Sequence, residues 1–291
     1  MTHLTRRTLL AAGGAALAAN AAAKTATPPT AATVIDRIKA NVGVPWAAKT
    51  VDGIIAGDAE TPVTGIATTM MATYAVLQRA AATGLNLVIS HEPTFWSHQE
   101  DVALLQNDPL YREKLQFIKD HKLVSFRFHD HIHAMNPRDG IAEGVMRRLG
   151  WSDFVSADDP WRFTLPPTTL DKLAADMRDR LKATTLRVIG RPGQPVSKLK
   201  ASWGYAGKFP AVDWLNGDVD VLVVGETWEW ELQEYVADLV AAGRAKALIM
   251  VGHIQSEQWG MDWCANWLKG FVPEVPVQFL EMPEPYWTPR T

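Results

Sequence analysis

Past residue 32, segments with the periodicity of a helix alternate with short apolar segments typical of strands. Residues 72–83, "ATYAVLQRAAAT", have apolar side chains at helical spacing, and Gly84 is a suitable helix stop. Further helices are expected at residues 110–121, 170–181, 230–242 and 257–268, and strands at residues 85–90, 123–128, 186–189, 219–224, 247–251 and 277–281. This alternation predicts an α/β fold.

A similar order of elements is found on both sides of a proline- and aspartate-rich link. The link contains "DDP" at residues 158–160 and "PP" at residues 166–167. We therefore expect two similar α/β halves, residues 33–155 and residues 156–291, that form one compact unit. No sequence repeat accompanies the likeness, which rests on the order of the elements.

The first 23 residues differ in composition from the rest of the chain. Arg6 and Arg7 precede an Ala-, Gly- and Leu-rich run that ends in the small-residue pattern of residues 21–23. This pattern predicts a twin-arginine signal peptide, residues 1–23, followed by a polar spacer, residues 24–32, that does not pack. The alternative, an uncleaved anchor, is disfavoured because the run is shorter than the ~20 apolar residues that span a bilayer. The mature protein is expected to be periplasmic or extracellular, without stable membrane insertion.

Composition and charge narrow the class of protein. Of the 291 residues, 47% are hydrophobic and 21% are charged, which is typical of a globular protein with a substantial core. The formal net charge is −3 and no long block of one sign is present, so nothing favours nucleic acid as a partner. Cys264 is the only cysteine, and an intrachain disulfide is therefore impossible.

Histidines collect at the ends of predicted strands. His91 and Glu92 end the apolar run of "VISHEPTFW". In "FRFHDHIHA", His129, His131 and His133 alternate, so an extended backbone would place all three on one face. For His131 we favour an exposed strand end without a ligand role, because such positions tolerate histidine. In the first segment, packing is the favoured role of the aromatic pair at residues 95–96.

A third cluster follows the strand predicted at residues 247–251. His253 and Glu257 are four residues apart, a spacing that places both on one face of a helical turn, where they can share an ion. Alone this motif is weak, and a solvent-facing Glu near a helix start is the simpler interpretation. Three clusters at the carboxyl ends of strands together favour a site, because open α/β sheets gather ligands there.

Six segments, in order and at plausible spacing, resemble the Nif-three-like dinuclear metal proteins (NGG-interacting-factor-three family, often labelled type 2 GTP cyclohydrolase I). The segments are "VDGIIAGD", "NLVISHEPTFW", "HDHIHA", "VVGE", "VGHIQSEQWGMDWCANWL" and "VQFLEMPEPY". The resemblance extends over residues 33–287, nearly the whole mature chain. It implies two α/β halves around a metal-binding cleft.

The resemblance also implies a set of metal ligands, namely His91, Glu92, His133, His253 and Glu257. Two of them depart from the family pattern. Glu92 stands where a second His is usual, and His133 stands where an Asp is usual. The count of three histidines and two carboxylates is kept, so we interpret the site as rewired and still able to bind metal.

Two further residues, His129 and Glu226, are expected to support the ligands or contact the substrate. Mixed imidazole and carboxylate ligation suits zinc, iron or manganese, with one or two ions for each chain. A carboxylate can bridge two ions, whereas a neutral imidazole binds one. If the usual Asp is the bridge, Glu257 or Glu92 must replace it, and otherwise the site holds one ion.

The expected function is a metal-dependent hydrolase, with Glu257 and Glu92 as catalytic residues. Activated water would attack a small phosphoester, a nucleotide-like molecule or a cyclic amide. The alternative is a non-catalytic metal-binding protein or an oligomeric scaffold. The family commonly forms a hexameric toroid, and the 12 tryptophans of this chain are compatible with subunit contacts, so a homo-oligomer is expected.

Overall fold

The computed structural model describes residues 27–287 and residue 289. The expected signal peptide, residues 1–23, lies outside the described residues. The helices are α1 (Ala31–Asn41), α2 (Tyr74–Ala82), α3 (Pro109–Asp120), α4 (Asp130–His133), α5 (Gly140–Leu149), α6 (Leu170–Leu181), α7 (Lys208–Asn216), α8 (Glu234–Ala241) and α9 (His253–Leu268). The strands are β1 (Gly53–Ala56), β2 (Ile66–Met71), β3 (Leu87–Glu92), β4 (Val124–Arg127), β5 (Arg162–Thr169), β6 (Arg187–Ile189), β7 (Pro195–Tyr205), β8 (Val221–Glu226), β9 (Ala247–Met250) and β10 (Val277–Phe279).

In the described part of the chain, ten strands form two five-stranded sheets, which agrees with the predicted α/β fold. The first sheet has the order β1-β4-β3-β2-β10, and the second has the order β5-β7-β8-β9-β6. The central strands of both sheets are parallel, and the antiparallel pairs lie at the edges. All six residues of β3 are buried, as expected for a parallel strand covered on both faces. The carboxyl ends of the parallel strands carry the histidines.

Helix α9 contacts strands of both sheets and packs along α5. The two helices approach closely because α5 carries Gly144, where a Cβ atom would lie 2.3 Å from the Trp259 carbonyl oxygen. The buried positions of α9 include four consecutive polar residues, Gln255 to Gln258. Strand β10, from the end of the chain, pairs with β2 in the first sheet. Both features bring the last third of the chain against the ends of β3 and β4.

The expectation that residues 24–32 do not pack was wrong for the described part of that segment. Pro29 and Ala31 are buried, and Ala31 begins α1. The Thr30 side chain accepts a hydrogen bond from the Thr33 amide and so caps the helix. The apolar face of α1, which includes Val34, packs in the core that lies against the first sheet. The described part of residues 24–32 is therefore held in place because it leads into α1, which packs in the core.

The expectation of an extended backbone through "FRFHDHIHA" was also wrong. Strand β4 ends at Arg127, and α4 begins three residues later. The cause is Asp52, whose carboxylate accepts hydrogen bonds from the amides of His129, Asp130 and His131 at 2.6–2.9 Å. Three converging amides favour a helical turn over a strand. His129 and His133 are consequently one helical turn apart.

None of the helices in residues 27–287 combines the length and the apolar character needed to cross a membrane.

Candidate metal centre

The carboxyl ends of three parallel strands deliver the candidate ligands to one place. Strand β3 ends with His91 and Glu92, and His129 follows β4. Helix α9 starts at His253, three residues after β9 ends at Met250, and it carries Glu257 one turn later. The predicted pairing of His253 and Glu257 on one helical turn is thus present, although the helix starts four residues earlier than expected.

Glu257 and the histidines around it form the most buried part of the site. Its Oε2 atom lies 3.0 Å from His253 Nε2 and 3.5 Å from His91 Nε2. Neither Glu257 Oε2 nor His91 Nε2 has a hydrogen-bond partner of acceptable geometry in the described part of the chain, although both atoms are buried. Buried polar atoms are rarely left without partners. A cation between them would satisfy both lone pairs.

Glu92 faces the same point from the end of β3. Its Oε1 atom lies 3.4 Å from His253 Nε2 and 3.8 Å from His129 Nε2. Donor atoms that share one ion at about 2.1 Å with tetrahedral angles are separated by about 3.4 Å. The separations of 3.0, 3.4 and 3.5 Å among His91, Glu92, His253 and Glu257 are close to that value. His91, Glu92 and Glu257 could therefore hold one metal ion, and His253 Nε2 lies within 3.4 Å of both carboxylates.

Four imidazoles present the same nitrogen to the site because the other is occupied. Nδ1 of each contacts an acceptor: His91 the Phe128 carbonyl oxygen at 3.3 Å, His129 Asp130 at 3.0 Å, His133 Asp139 at 2.7 Å and His253 Glu226 at 2.9 Å. An acceptor at Nδ1 places the proton there and leaves the Nε2 lone pair free to bind a metal. The expected supporting role of Glu226 agrees with its contact to His253.

His133 reaches the site through a second group of histidines. The rings of His91, His129 and His133 lie 4.6–5.1 Å apart between centroids. Donor atoms of these three side chains lie within 4.8 Å of one another, as do those of His91, Glu92 and Glu257 and those of Glu92, His98 and His129. His91, Glu92, His129 and His133 could therefore hold a metal ion. His129, expected in a supporting role, offers a donor atom as directly as His133 does.

Arg127 is a residue of the candidate site that the sequence analysis missed. It is the last residue of β4, it is fully buried, and its guanidinium donates to Glu92 Oε2 at 3.0 Å. Glu92 therefore turns only Oε1 toward the histidines. A charged residue in the apolar run "LVSFRF" was a usable signal, because a buried arginine requires a charged or hydrogen-bonding partner.

The electrostatics keep the carboxylates ionised. Burial raises the pKa of Glu92, but the hydrogen bond and charge of His253 and the charge of His91 outweigh it and lower that pKa to about 2. Burial also raises the pKa of Glu257, and the same two histidines hold it well below its usual value. Burial and the neighbouring His91 lower the pKa of His129 to about 4, so His129 is neutral at pH 7. Ionised carboxylates and a neutral imidazole are the protonation states that metal ligands need.

The protonation of His253 depends on the carboxylates around it. Burial lowers its pKa, but the neighbouring carboxylates of Glu226, Glu257 and Glu92 outweigh burial and raise the pKa to about 12. Without a metal, a proton on His253 therefore offsets part of the charge of these carboxylates. A metal ion would replace that proton.

A glycine of β7 leaves room for the Glu257 carboxylate. A Cβ atom at Gly204 would lie 2.3 Å from Glu257 Oε1 and 3.2 Å from His253 Nε2. The backbone there is left-handed, with φ of +71°, and the register of β7 against β8 shifts between Ser202 and Tyr205. The chain thus bends where it passes the candidate ligands.

A cavity of about 400 Å³ opens beside the candidate ligands. Its lining includes Glu226, Gly252, His253, Arg187 and Tyr286. Volumes of this order fit a small molecule. Access from solvent to the His253 side of the site is therefore available.

The expectation of an exposed His131 was wrong. The side chain is buried, and its ring stacks on Trp46 with centroids 3.7 Å apart. Nδ1 contacts Asp52 Oδ2 at 2.7 Å, and Nε2 accepts a hydrogen bond from the Ala47 amide at 2.9 Å. Both nitrogens are used within the protein, so this histidine has no lone pair left for a metal. Of the aromatic pair after Glu92, Phe95 packs in the core as expected, whereas Trp96 is 54% exposed, so the expectation of packing was wrong for Trp96.

Comparison with known proteins gives the relationships of this chain. The model of the family described as Duf34/NIF3 (NGG1p interacting factor 3) matches residues 32–285. No curated protein matches the chain. Among solved structures, the Staphylococcus aureus hypothetical protein SA1388 is 17% identical with a TM-score of 0.71, over 90% of this chain and 99% of its own.

Two other solved structures share the fold. A Bacillus cereus protein related to NIF3 is 13% identical with a TM-score of 0.70, over 90% of this chain and 100% of its own. Reduced HcgD from Methanocaldococcus jannaschii is 12% identical with a TM-score of 0.59, over 87% of this chain and 98% of its own. At such identities the structures show a common fold. Because the family model covers most of the sequence, this chain belongs to the Duf34/NIF3 family.

Proposed function

We propose that this protein is a metal-dependent hydrolase that acts on a small phosphoester, nucleotide-like or cyclic amide substrate. The observation that carries the proposal is the pair of buried, unpartnered atoms His91 Nε2 and Glu257 Oε2, which face each other at 3.5 Å. His253 Nε2 and Glu92 Oε1 complete the group. Among protein side chains, this donor set suits zinc, iron or manganese.

A first ion would be held by His91, Glu92, His253 and Glu257. A second would use His133 and His129. Since Arg127 occupies one oxygen of Glu92, Glu92 would offer only Oε1 to an ion, whereas Glu257 Oε2 has no such partner. When bound, such ions supply Lewis-acid chemistry that activates water for attack.

The residues of this chain would hold the reacting groups in place. Asp139 and Glu226 orient the imidazoles of His133 and His253 through Nδ1. Arg127 offsets the charge of Glu92, so the shell carries less negative charge than its two carboxylates would give. A divalent ion there would supply positive charge, which favours a substrate with an anionic oxygen. The catalytic carboxylates of this proposal are Glu257 and Glu92.

Metal analysis is the direct test. The native protein should contain zinc, iron or manganese at one or two ions for each chain. The changes His253→Ala and Glu257→Ala should sharply lower that content, whereas His121→Ala, at an exposed position on α3's carboxyl end, should not. Loaded protein should hydrolyse at least one member of a panel of phosphodiesters, nucleotides and cyclic amides. Bound metal without turnover on the whole panel would favour the non-catalytic metal-binding or scaffold alternative.

We further propose that the protein is exported by the twin-arginine route. The support is the arginine pair and the small-residue run at the start of the sequence. Because this route carries folded proteins, metal could be bound before export. Changing Arg6 and Arg7 to Lys should retain the precursor in the cytoplasm, and fractionation of the cells measures this. Unchanged export would contradict the proposal.

A homo-oligomer is proposed for the folded chain. Trp228 and Trp230 stack on each other and are 49% and 72% exposed, which is unusual for tryptophan in a monomer. Sedimentation of the purified protein should give a mass several times that of the chain, with a hexamer as one expected form. A monomer across the accessible concentration range would refute this assembly.

A further inference from the structure

One histidine at the edge of the site has the opposite arrangement of its ring nitrogens. His98 lies on the loop after β3, and the Arg127 guanidinium approaches its Nδ1 at 3.2 Å. Guanidinium groups have donors and no acceptor, so Nδ1 must carry a lone pair and accept this hydrogen bond. The proton of neutral His98 therefore sits on Nε2. The four histidines described above have an acceptor at Nδ1 instead.

His98 stands next to the candidate ligands. Its ring meets the ring of His129 edge-on, with centroids 5.2 Å apart. Donor atoms of Glu92, His98 and His129 lie within 4.8 Å of one another. His98 itself is exposed, so its side chain is accessible to a small molecule.

Buried charges hold the loop that carries His98. Arg127 donates to the His98 carbonyl oxygen as well as to the ring. The Glu100 carboxylate accepts from the amides of Thr94 and Phe95 at 2.8 and 3.3 Å. On the other side, Lys114, buried on α3, donates to the Thr94 carbonyl oxygen. Because these contacts fix both ends of a short loop, the imidazole of His98 is positioned before any ligand arrives.

We propose that His98 is a specificity-determining hydrogen-bond donor for a phosphoryl oxygen of the substrate. Arg127 acts as its positioning residue, because it keeps the proton on Nε2 and pairs with Glu92 through the same guanidinium. An anionic oxygen is the expected acceptor, since Arg127 offsets the nearby carboxylate and a donor gains most from a charged partner. This inference rests on the proposed metal-dependent hydrolase and names the substrate class that its site prefers. It assigns no metal to His98.

Two changes at His98 separate a donor from a ligand. His98→Phe keeps a ring and removes the donor, and His98→Asn keeps a side-chain N–H. His121→Phe, on an exposed position outside the site, is the control. For each full-length protein, metal content is measured by elemental analysis after loading with manganese. The affinity for inorganic phosphate is then measured by calorimetry.

Metal content should be the same in all four proteins. Phosphate should bind His98→Phe about tenfold or more weakly than wild type, as expected for a lost hydrogen bond to a charged group. His98→Asn should recover part of this loss, and His121→Phe should bind like wild type. Loss of metal from His98→Phe would make His98 a ligand and overturn the inference. Equal phosphate affinity would overturn it as well, and would favour an uncharged substrate such as a cyclic amide.

A nitrogen-15 spectrum of the metal-free protein gives a readout independent of ligand binding. The His98 signals, assigned by their loss in His98→Phe, should show a protonated Nε2 and an unprotonated Nδ1. A proton on Nδ1 would refute the tautomer argument. A wild-type protein that binds no metal would instead remove the proposed function, and this inference with it.

Discussion

The change Gly204→Ala tests whether the approach of β7 to Glu257 shapes the metal centre. The added Cβ would lie 2.3 Å from Glu257 Oε1, against about 3.4 Å for an ordinary contact, so one of them must move by about 1 Å. Metal–ligand distances tolerate changes of about 0.2 Å. We expect the affinity for zinc or manganese to fall at least tenfold, the scale found when groups that support a ligand are removed. Competition with a chromogenic chelator measures the dissociation constant.

Gly84→Ala is the matched control for the backbone. Gly84 has φ of +72°, against +71° at Gly204, and no described heavy atom lies within 4 Å of an added Cβ. Both changes should lower the free energy of unfolding by about 1–2 kcal/mol, the cost of a left-handed alanine. Only Gly204→Ala should weaken metal binding. Equal metal affinity in the two variants would refute the argument that Gly204 makes room for a metal ligand.

Three further predictions concern residues around the site. His131→Phe should lower the free energy of unfolding by about 1–3 kcal/mol, because it removes the ring's hydrogen bonds with Asp52 and with the Ala47 amide, and it should keep the wild-type metal content, so metal loss would contradict its structural role. Burial lowers the pKa of Lys114 to about 8, below its unfolded value of 10.5. The buried charge therefore lowers the free energy of unfolding in full below pH 8, and this loss disappears as the pH rises to 10.5. In urea unfolding, the free energy of unfolding of wild type should therefore rise by about 3 kcal/mol relative to that of Lys114→Met between pH 8 and pH 10.5. A constant difference between the two proteins would be inconsistent with a depressed pKa. Glu92→Gln should lower the free energy of unfolding by about 3–5 kcal/mol, because the buried charge of Arg127 loses its carboxylate partner. Adding Arg127→Met should restore part of that stability without restoring metal, and additive losses would show that the two residues do not interact.

The sequence predicted the elements well wherever the local pattern was strong. The helix predicted at residues 170–181 is α6, and the helix predicted at residues 110–121 differs from α3 by one residue at each end. Helical periodicity and stop residues act within a few positions, so they can be seen without tertiary information. The spacing of His253 and Glu257 is also a local signal, because it places two side chains on one helical turn. The family resemblance was confirmed over residues 32–285.

Contacts between distant segments lay beyond the reach of any local pattern. The backbone of "FRFHDHIHA" follows Asp52, more than 70 residues earlier, which turns an expected strand into a helical turn. The guanidinium of Arg127 contacts Glu92 only because β4 lies beside β3 in the sheet. These pairings depend on which strands neighbour each other, and period-two alternation does not encode that choice.

The sequence by itself determined which residue types are available for a metal centre and at which strand ends they stand. Only the tertiary structure decided which nitrogen of each histidine faces the site. His91 and His98 are chemically identical side chains seven residues apart, yet one meets a carbonyl oxygen and the other a guanidinium at Nδ1. An imidazole carries its proton where an acceptor lies and its lone pair where a donor lies. The partner is supplied by another segment of the fold, and for that reason the same residue is a candidate ligand at one position and a hydrogen-bond donor at the other.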